Sequence, residues 1–320
     1  MTLPQGYRSR AAAREDVDAL VELFQAADRA DVGFADPARD EIYETWAQPW
    51  FDLETDSLVV EARDGTIAAY SETIAKDATV NVFAFAKVHP DHRGRGVGTF
   101  VAASIEARAA EMIPAGVMAP LRNGFPSTDE RAIALFGSRG YVHVRSFWHM
   151  ERPLADLEAP APGPEGITIR PGAAGEDQRI SWAILEEAFS EHFGYEPGTF
   201  EEWLTMWSGF PGYDPTWVLL AFEGDEPVGI SIVLPSEEGV AWVAELGVLK
   251  PWRRHGVGMA LLQRSFAFMA SEGFALARLG VDTQNTSGAT RLYERAGMTV
   301  RREYRVVELG IEGTTASRYA

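Results

Sequence analysis

A short glycine-rich loop occurs twice, 160 residues apart in a chain of 320. Arg93-Gly94-Arg95-Gly96-Val97-Gly98 is the first copy, and Arg253-Arg254-His255-Gly256-Val257-Gly258 is the second. Each follows an apolar run of strand character and opens an apolar run of helical character. A turn at a helix start presents unpaired main-chain N–H groups and the positive end of the helix dipole, which suits a phosphate-bearing ligand. Two such turns at half-chain spacing predict a duplicated domain.

The rest of the chain follows the same period. Tyr7–Arg10 and Ile167–Arg170 predict a first strand in each half, and Val17–Ala27 and Ile180–Phe189 a first helix. Leu58–Val60 and Val218–Leu220 are the next strands, followed by turns at Asp64-Gly65 and Gly224-Asp225. Ile67–Ile74 and Val228–Val233 return as hairpin partners, and Val82–Val88 and Trp242–Val248 lead into the glycine loops. Helices Val97–Ala110 and Val257–Ser271 follow, the second closed by Gly273. The order is that of an α/β protein with a mixed, mostly antiparallel sheet flanked by helices, rather than an alternating βαβ series. Pro153–Gly166 holds four prolines and no periodic pattern. The expected division is therefore 1–152, a linker at 153–166, and 167–320.

Composition narrows the function. With no cysteine, disulfides, thiolate metal sites and a cysteine acyl-enzyme are excluded. A net charge of −18 opposes sequence-independent nucleic-acid binding. No apolar stretch reaches the roughly 18 residues of a membrane span, and Met1–Arg14 has no signal-peptide core, so a cytoplasmic protein is expected. A monomer or a homodimer fits equally well. His89 and His92 have no accompanying carboxylate cluster, so no metal is expected.

Neither loop is a dinucleotide or P-loop fingerprint. Counting from Gly96 and from Gly256, the third glycine of G-x-G-x-x-G is replaced by Val101 and Leu261, and G-K-[ST] is missing. The shared pattern is R-x-x-G-x-G. Downstream of the second copy, Leu279–Asn285 runs into a polar turn, and Thr286–Met298 reads N-terminally polar, then A-x-x-L-Y-E-x-x-G-M. Together these closely resemble the signature of GNAT acyltransferases, the acetyl-CoA-dependent N-acetyltransferases, and the duplication resembles their tandem-domain members.

The resemblance implies two tandem GNAT-like domains and a coenzyme A cofactor, with no metal. The loop at Arg253, Arg254, His255, Gly256, Val257, Gly258 and Met259 would hold the diphosphate. Pantetheine would lie along Leu246, Gly247 and Val248, where the strand ending at Val248 splays from the one ending at Val281. Asn285 would contact the cofactor arm or hold the splay open. Tyr293 stands where relatives use a tyrosine to protonate the departing thiolate. In the first half, Val88, Arg93, Gly94, Arg95, Gly96, Val97, Gly98 and Thr99 match the same positions.

Direct attack of an amine on a thioester needs a base, because an alkylammonium has a pKa of about 10.4. The position where many relatives carry a glutamate is Trp242 here. Glu245 is the first candidate, although simple alternation puts it on the opposite face from Trp242 unless a bulge re-aims it. His192, closing the first helix of the second half, is a second candidate as base or acceptor contact. Trp203 and Trp207 either wall an acceptor site or pack in the core.

The halves are unequal. At the tyrosine position the first half has Phe136, and Val82–Val88 holds no acidic residue. The first half is therefore expected to be catalytically silent. The expected activity is acetyl transfer to a primary amine of a small molecule, with chemistry in the second half. The alternative is a tandem GNAT scaffold that binds acyl-CoA without turnover.

Overall fold

The structure is a computed structural model that describes residues 2–35, 39–155, 157–158, 160, 162–210, 212–236, 238–285 and 288–314. Thr286 and Ser287 of the expected last helix lie outside the described residues. In chain order the elements are β1 (Tyr7–Arg10), α1 (Val17–Val32), α2 (Arg39–Trp46), α3 (Leu53–Asp56), β2 (Ser57–Ala62), β3 (Ile67–Ile74), β4 (Val82–Val88), α4 (Val97–Met112), β5 (Met118–Pro126), α5 (Glu130–Ser138) and β6 (Val142–Pro153). The second series is β7 (Ile167–Pro171), α6 (Glu176–Phe189), α7 (Phe200–Gly209), β8 (Val218–Glu223), β9 (Glu226–Pro235), β10 (Val240–Val248), α8 (Val257–Ser271), β11 (Leu276–Asp282), α9 (Ala289–Arg295) and β12 (Thr299–Glu312). Every strand and helix expected before the glycine loops is present, as are the helices after them.

Two compact units form, residues 1–146 with 302–320 (unit 1) and 147–301 (unit 2). They do not follow the division at residues 152 and 167 expected from the sequence. In unit 1 the strand order is β1-β2-β3-β4-β5-β12, and in unit 2 it is β6-β11-β10-β9-β8-β7. Each half of the chain thus supplies the closing strand of the other's sheet. Tyr304–Glu312 pairs antiparallel with β5, and Phe147–Pro153 pairs antiparallel with β11. The reason is burial: Met150 of β6 is fully enclosed among Leu279, Val281 and Phe266 of unit 2, while Val307 of β12 joins Leu121 and Phe125 of unit 1. Leu154, inside the expected linker, is buried in unit 2 as well.

Each sheet is covered on both faces. In unit 2, α8 lays Leu262, Phe266 and Met269 on Ala241, Val243 and Ala277, and α6 and α7 bury Ile184, Leu185, Trp203 and Trp207 on Leu220, Ile230 and Ile232. Trp203 and Trp207 are 8% and 4% exposed, which settles them as core residues. Local signals fix the helix ends. Thr199 and Glu202 form a reciprocal capping box on α7, with Thr199 Oγ1 accepting from Glu202 N at 3.2 Å and Glu202 Oε2 accepting from Thr199 N at 2.9 Å. The α8 C-terminus closes as a Schellman motif: Gly273 N–H donates to Ala270 O and Phe274 N–H to Met269 O.

Candidate active site

The decisive strand of unit 2 is β10. It pairs with β11 in parallel only at Val240, Ala241 and Trp242. Beyond that point the two strands part, so β10 main-chain groups that face β11 have no strand to pair with, an unstable state unless something else takes their hydrogen bonds. On its other edge β10 pairs with β9, and the register jumps between Val243 and Glu245. Ala244 is the extra residue of a β-bulge. The bulge sets Glu245 opposite Ile232. Ile232 packs against α6 and α7, and cross-strand partners share a face. Glu245 is thereby turned to the α6 side, the side that alternation alone would have denied it.

The turn that follows is shaped by its own residues. Gly256 has φ +85° at the N-cap of α8, a left-handed conformation that glycine adopts without penalty. Arg254 has φ +66°, the one positive-φ non-glycine among the described residues, at the position that Gly94 fills with φ +73° in unit 1. Arg253 directs two of its guanidinium nitrogens at main-chain carbonyls. Its Nε donates to the Val248 carbonyl at 2.9 Å and its Nη2 to the Ala188 carbonyl at 3.1 Å, which fastens the turn to β10 and α6. The first intrahelical donor of α8 is Ala260 N–H, to Gly256 O at 3.0 Å. The N–H groups ahead of it stand outside the helix ladder at the positive end of a 15-residue helix.

These parts border one cleft of about 930 Å³. Of the expected catalytic and cofactor-binding residues of the second half, all but His255 and Val257 line it; Val257 is buried beneath the turn at 1% exposure. Sequence reasoning missed Phe147, Asp282, Arg291 and Arg295, which also line it. Arg291 and Arg295 are polar positions one turn apart on α9 and carried that signal; Phe147 was hidden because it arrives on the exchanged strand β6.

Glu245 opens an edge to the cleft but is otherwise enclosed by protein, and its carboxyl has no hydrogen-bond or ion-pair partner among the described residues. Burial pushes its pKa up to about 7. Tyr293, 7% exposed on α9, has its phenol raised by burial and then by the charge of Glu245, so it stays protonated as a donor. The cleft therefore pairs a carboxyl that loses its proton near neutrality with a phenol that keeps it, the division needed to take one proton and give another. His192 sits at the rim, held below its usual pKa by partial burial and by Arg253, with Nε2 3.5 Å from Asn285 Nδ2 and its ring edge-on to Phe189. Trp242 lies edge-to-face with His149, ring centroids 5.1 Å apart.

The pH dependence of stability follows from Glu245. Between about pH 4.5 and pH 7 the folded chain holds a proton that the unfolded chain has released, so stability falls as pH rises through that window. Glu245→Gln removes the buried charge. Its melting temperature is expected to exceed that of the wild type at pH 8, with the gain shrinking to nothing below about pH 4.5 in parallel thermal melts.

Unit 1 has the same frame with different contents. Its strands β4 and β5 pair at Val82, Phe83 and Ala84 and then part, and its turn has left-handed Gly94 and Gly96. Val88, Arg93, Gly94, Gly96, Gly98 and Thr99 line a cleft of about 470 Å³, while Arg95 and Val97 do not. The β3–β4 ladder runs without a bulge. By register Phe85 takes the place of Glu245, and Phe136 that of Tyr293. Arg93 donates to the Val88 carbonyl at 3.1 Å and clasps Asp31 with both Nη atoms at 2.5 and 2.8 Å. His89 and His92 are engaged with Asp91 N–H and the Tyr7 hydroxyl.

A model of the acetyltransferase (GNAT) family matches residues 17–141 and 179–298. The chain belongs to the GNAT acetyltransferase family. It is 30% identical over 251 residues to a mycothiol acetyltransferase of Geodermatophilus obscurus, covering 76% of this chain and 78% of that one. It is 29% identical over 249 residues to the enzyme of the same name from Salinispora arenicola, covering 75% and 77%. The crystal structure of a GCN5-related N-acetyltransferase from Sphaerobacter thermophilus superposes with a TM-score of 0.85 at 32% identity over 99% of both chains. A tandem GNAT protein from the clavulanic acid biosynthesis pathway shares the fold, with a TM-score of 0.76 at 15% identity over 97% of this chain and 99% of that one. This tandem GNAT protein is an N-acetyltransferase, and acetyltransferases of the family use acetyl-CoA. Among its described residues no helix is long and apolar enough to cross a membrane.

Proposed function

We propose that unit 2 transfers the acetyl group of acetyl-CoA directly to a primary amine of a small molecule, with Glu245 as base and Tyr293 as acid. The observation that carries this is the pairing, in one cleft, of an unpartnered carboxyl with a pKa near 7 and a buried protonated phenol. The fit to coenzyme A rests on three features of the chain: a turn with free N–H groups at a helix start, two parted strands, and a cleft joining them to Glu245 and Tyr293. When bound, the thioester supplies an acyl carbon open to amine attack and a thiolate leaving group.

The residues divide the work. N–H groups at Val257, Gly258 and Met259 hold the diphosphate, and Arg253 keeps the turn in shape. The free edge of β10 at Leu246, Gly247 and Val248 orients the extended arm and offers N–H donors to the carbonyl oxygen. Arg254, Arg291 and Arg295 add positive charge at the mouth. Glu245 Oε takes a proton from the ammonium, directly or through water, and Tyr293 Oη gives one to the sulfur. Asn285 and His192 border the acceptor side, where a neutral His192 contacts the amine substrate.

Unit 1 lacks this chemistry. Phe85 cannot take a proton, Phe136 cannot give one, and the straight β3–β4 ladder exposes no bulge. Binding without turnover, the alternative for the whole chain, suits unit 1 alone. Small-molecule acceptors fit the mycothiol acetyltransferase relatives, though Trp242 at the usual glutamate position weighs against carrying their own acceptor over. Thiol release from acetyl-CoA across a panel of small primary amines tests the reading: amine-dependent release is expected, and coenzyme A binding with no release for any amine contradicts it.

A further inference from the structure

Two side chains one turn apart on α6 reach out to the segment 190–199 that links α6 to α7. Trp182 Nε1 donates to the Gly198 carbonyl at 2.9 Å. Glu186 accepts from the Gly198 N–H at 3.3 Å and from the Tyr195 hydroxyl at 2.6 Å. Both main-chain groups of Gly198 are thus held by helix side chains, as a neighbouring strand would hold them. A carboxylate in the last turn of a helix faces the negative end of the dipole and is disfavoured there. Glu186 stands in the last turn of α6, so helix stability does not account for it; what it grips does. The Tyr195 phenol is pushed up to about 12, first by burial and then by Glu186, so the donor persists across the neutral range.

The gripped segment carries part of the cleft wall. His192 N–H donates to Phe189 O at 2.8 Å and Tyr195 N–H to His192 O at 3.1 Å, so the chain winds on from α6 in single turns. Gly194 has φ +75°, a conformation that glycine takes without strain. Thr199 then opens α7 with its capping box. Between the end of α6 and the anchor at Tyr195 and Gly198 stands a crest formed by His192, Phe193 and Gly194, and the first two line the cleft. The outer contact of the crest, Glu191 with Lys250 at 2.7 Å, joins two exposed side chains and adds little. The grip of Glu186 is what fixes where the crest stands.

We propose that Glu186 is a positioning residue for the acceptor: by holding Tyr195 and Gly198 it sets His192 and Phe193 as the wall against which the amine is placed. This rests on the reading that the amine enters unit 2 beside His192. Loss of the grip frees the crest to move about Gly194. Amine binding then weakens, while the turn at 253–258 and the Glu245–Tyr293 pair stay as they are.

Kinetics of Glu186→Ala, Tyr195→Phe and Glu186→Gln test this at saturating acetyl-CoA, varying the most active amine among ethanolamine, putrescine, glucosamine and 2-phenylethylamine. Glu186→Ala and Tyr195→Phe are expected to raise KM for that amine about tenfold, the effect of losing a hydrogen bond to a charged group, with kcat and KM for acetyl-CoA little changed. Glu186→Gln, whose amide oxygen still accepts, keeps the amine KM close to that of the wild type. An unchanged amine KM in Glu186→Ala, or a fall in kcat as large as the rise in KM, overturns the proposal. Should Glu186→Ala fail to fold, Tyr195→Phe carries the same two outcomes. A second readout needs no amine. His192 is held below its ordinary value first by burial and then by Arg253, against the opposing charges of Asp282 and Glu191. In imidazole NMR titrations Tyr195→Phe is expected to return it toward about 6.5 as the crest loosens. A His192 titration that stays at its wild-type position overturns the proposal. If the wild type turns over no amine, the acetyl-transfer reading fails while this titration still decides what Glu186 holds, so the two failures are separable.

Discussion

Glu245→Gln is expected to lower kcat at pH 7.5 by about 10²–10⁴-fold, the range for loss of a positioned general base. The amide has nearly the same shape as the carboxyl but cannot accept the proton. The substitution leaves the turn at 253–258 untouched, so KM for acetyl-CoA should change little. The pH profile carries the diagnostic signal. Burial sets the Glu245 pKa at about 7, so wild-type activity should climb as pH rises toward that value and bend there as the carboxylate becomes fully ionised. In Glu245→Gln the bend should vanish. A profile that keeps the same bend would move the base elsewhere, with His192 the next group to test. The same burial that makes Glu245 an effective base makes its charge a burden on the fold, which is why one substitution should lose activity and gain melting temperature at pH 8.

The second large effect concerns Tyr293 and the inequality of the two units. Tyr293→Phe is expected to reduce kcat by about 10²-fold or more, because the thiolate then leaves without an acid. The ring remains to fill the space beside Leu292 and Met298, so the fold should hold. Adding Phe136→Tyr to this variant restores a phenol at the matching place in unit 1. It should not restore activity, because Phe85 stands where Glu245 would be needed. Steady-state turnover of the double variant at the level of Tyr293→Phe supports the assignment. Rescue by Phe136→Tyr would show that unit 1 carries its own catalytic apparatus.

Several of these features were legible in the sequence because they depend on local chemistry. Gly96 and Gly256 mark turns that need a left-handed residue, and both adopt one. The parted strands and the helices after the turns also match the sequence-based expectation. Glu245, Tyr293 and Asn285 line one cleft. Other features were out of reach. Counting along β10 puts Glu245 and Trp242 on opposite faces; Ala244, an alanine like any other in the sequence, is the residue that reverses this. The exchange of β6 and β12 was equally hidden, since a strand's pattern of apolar residues specifies that it is a strand but not which sheet receives it. The side-chain role of Arg253 was also out of reach, since nothing in the sequence says that its guanidinium donates to the Val248 and Ala188 carbonyls.

The most direct test of the account is a crystal structure of the chain with coenzyme A bound. The diphosphate is expected within about 2.7–3.2 Å of the N–H groups at 257–259, with the pantetheine arm between β10 and β11 and the sulfur within reach of the Tyr293 hydroxyl. A diphosphate bound elsewhere, with the turn at 253–258 vacant, would contradict it.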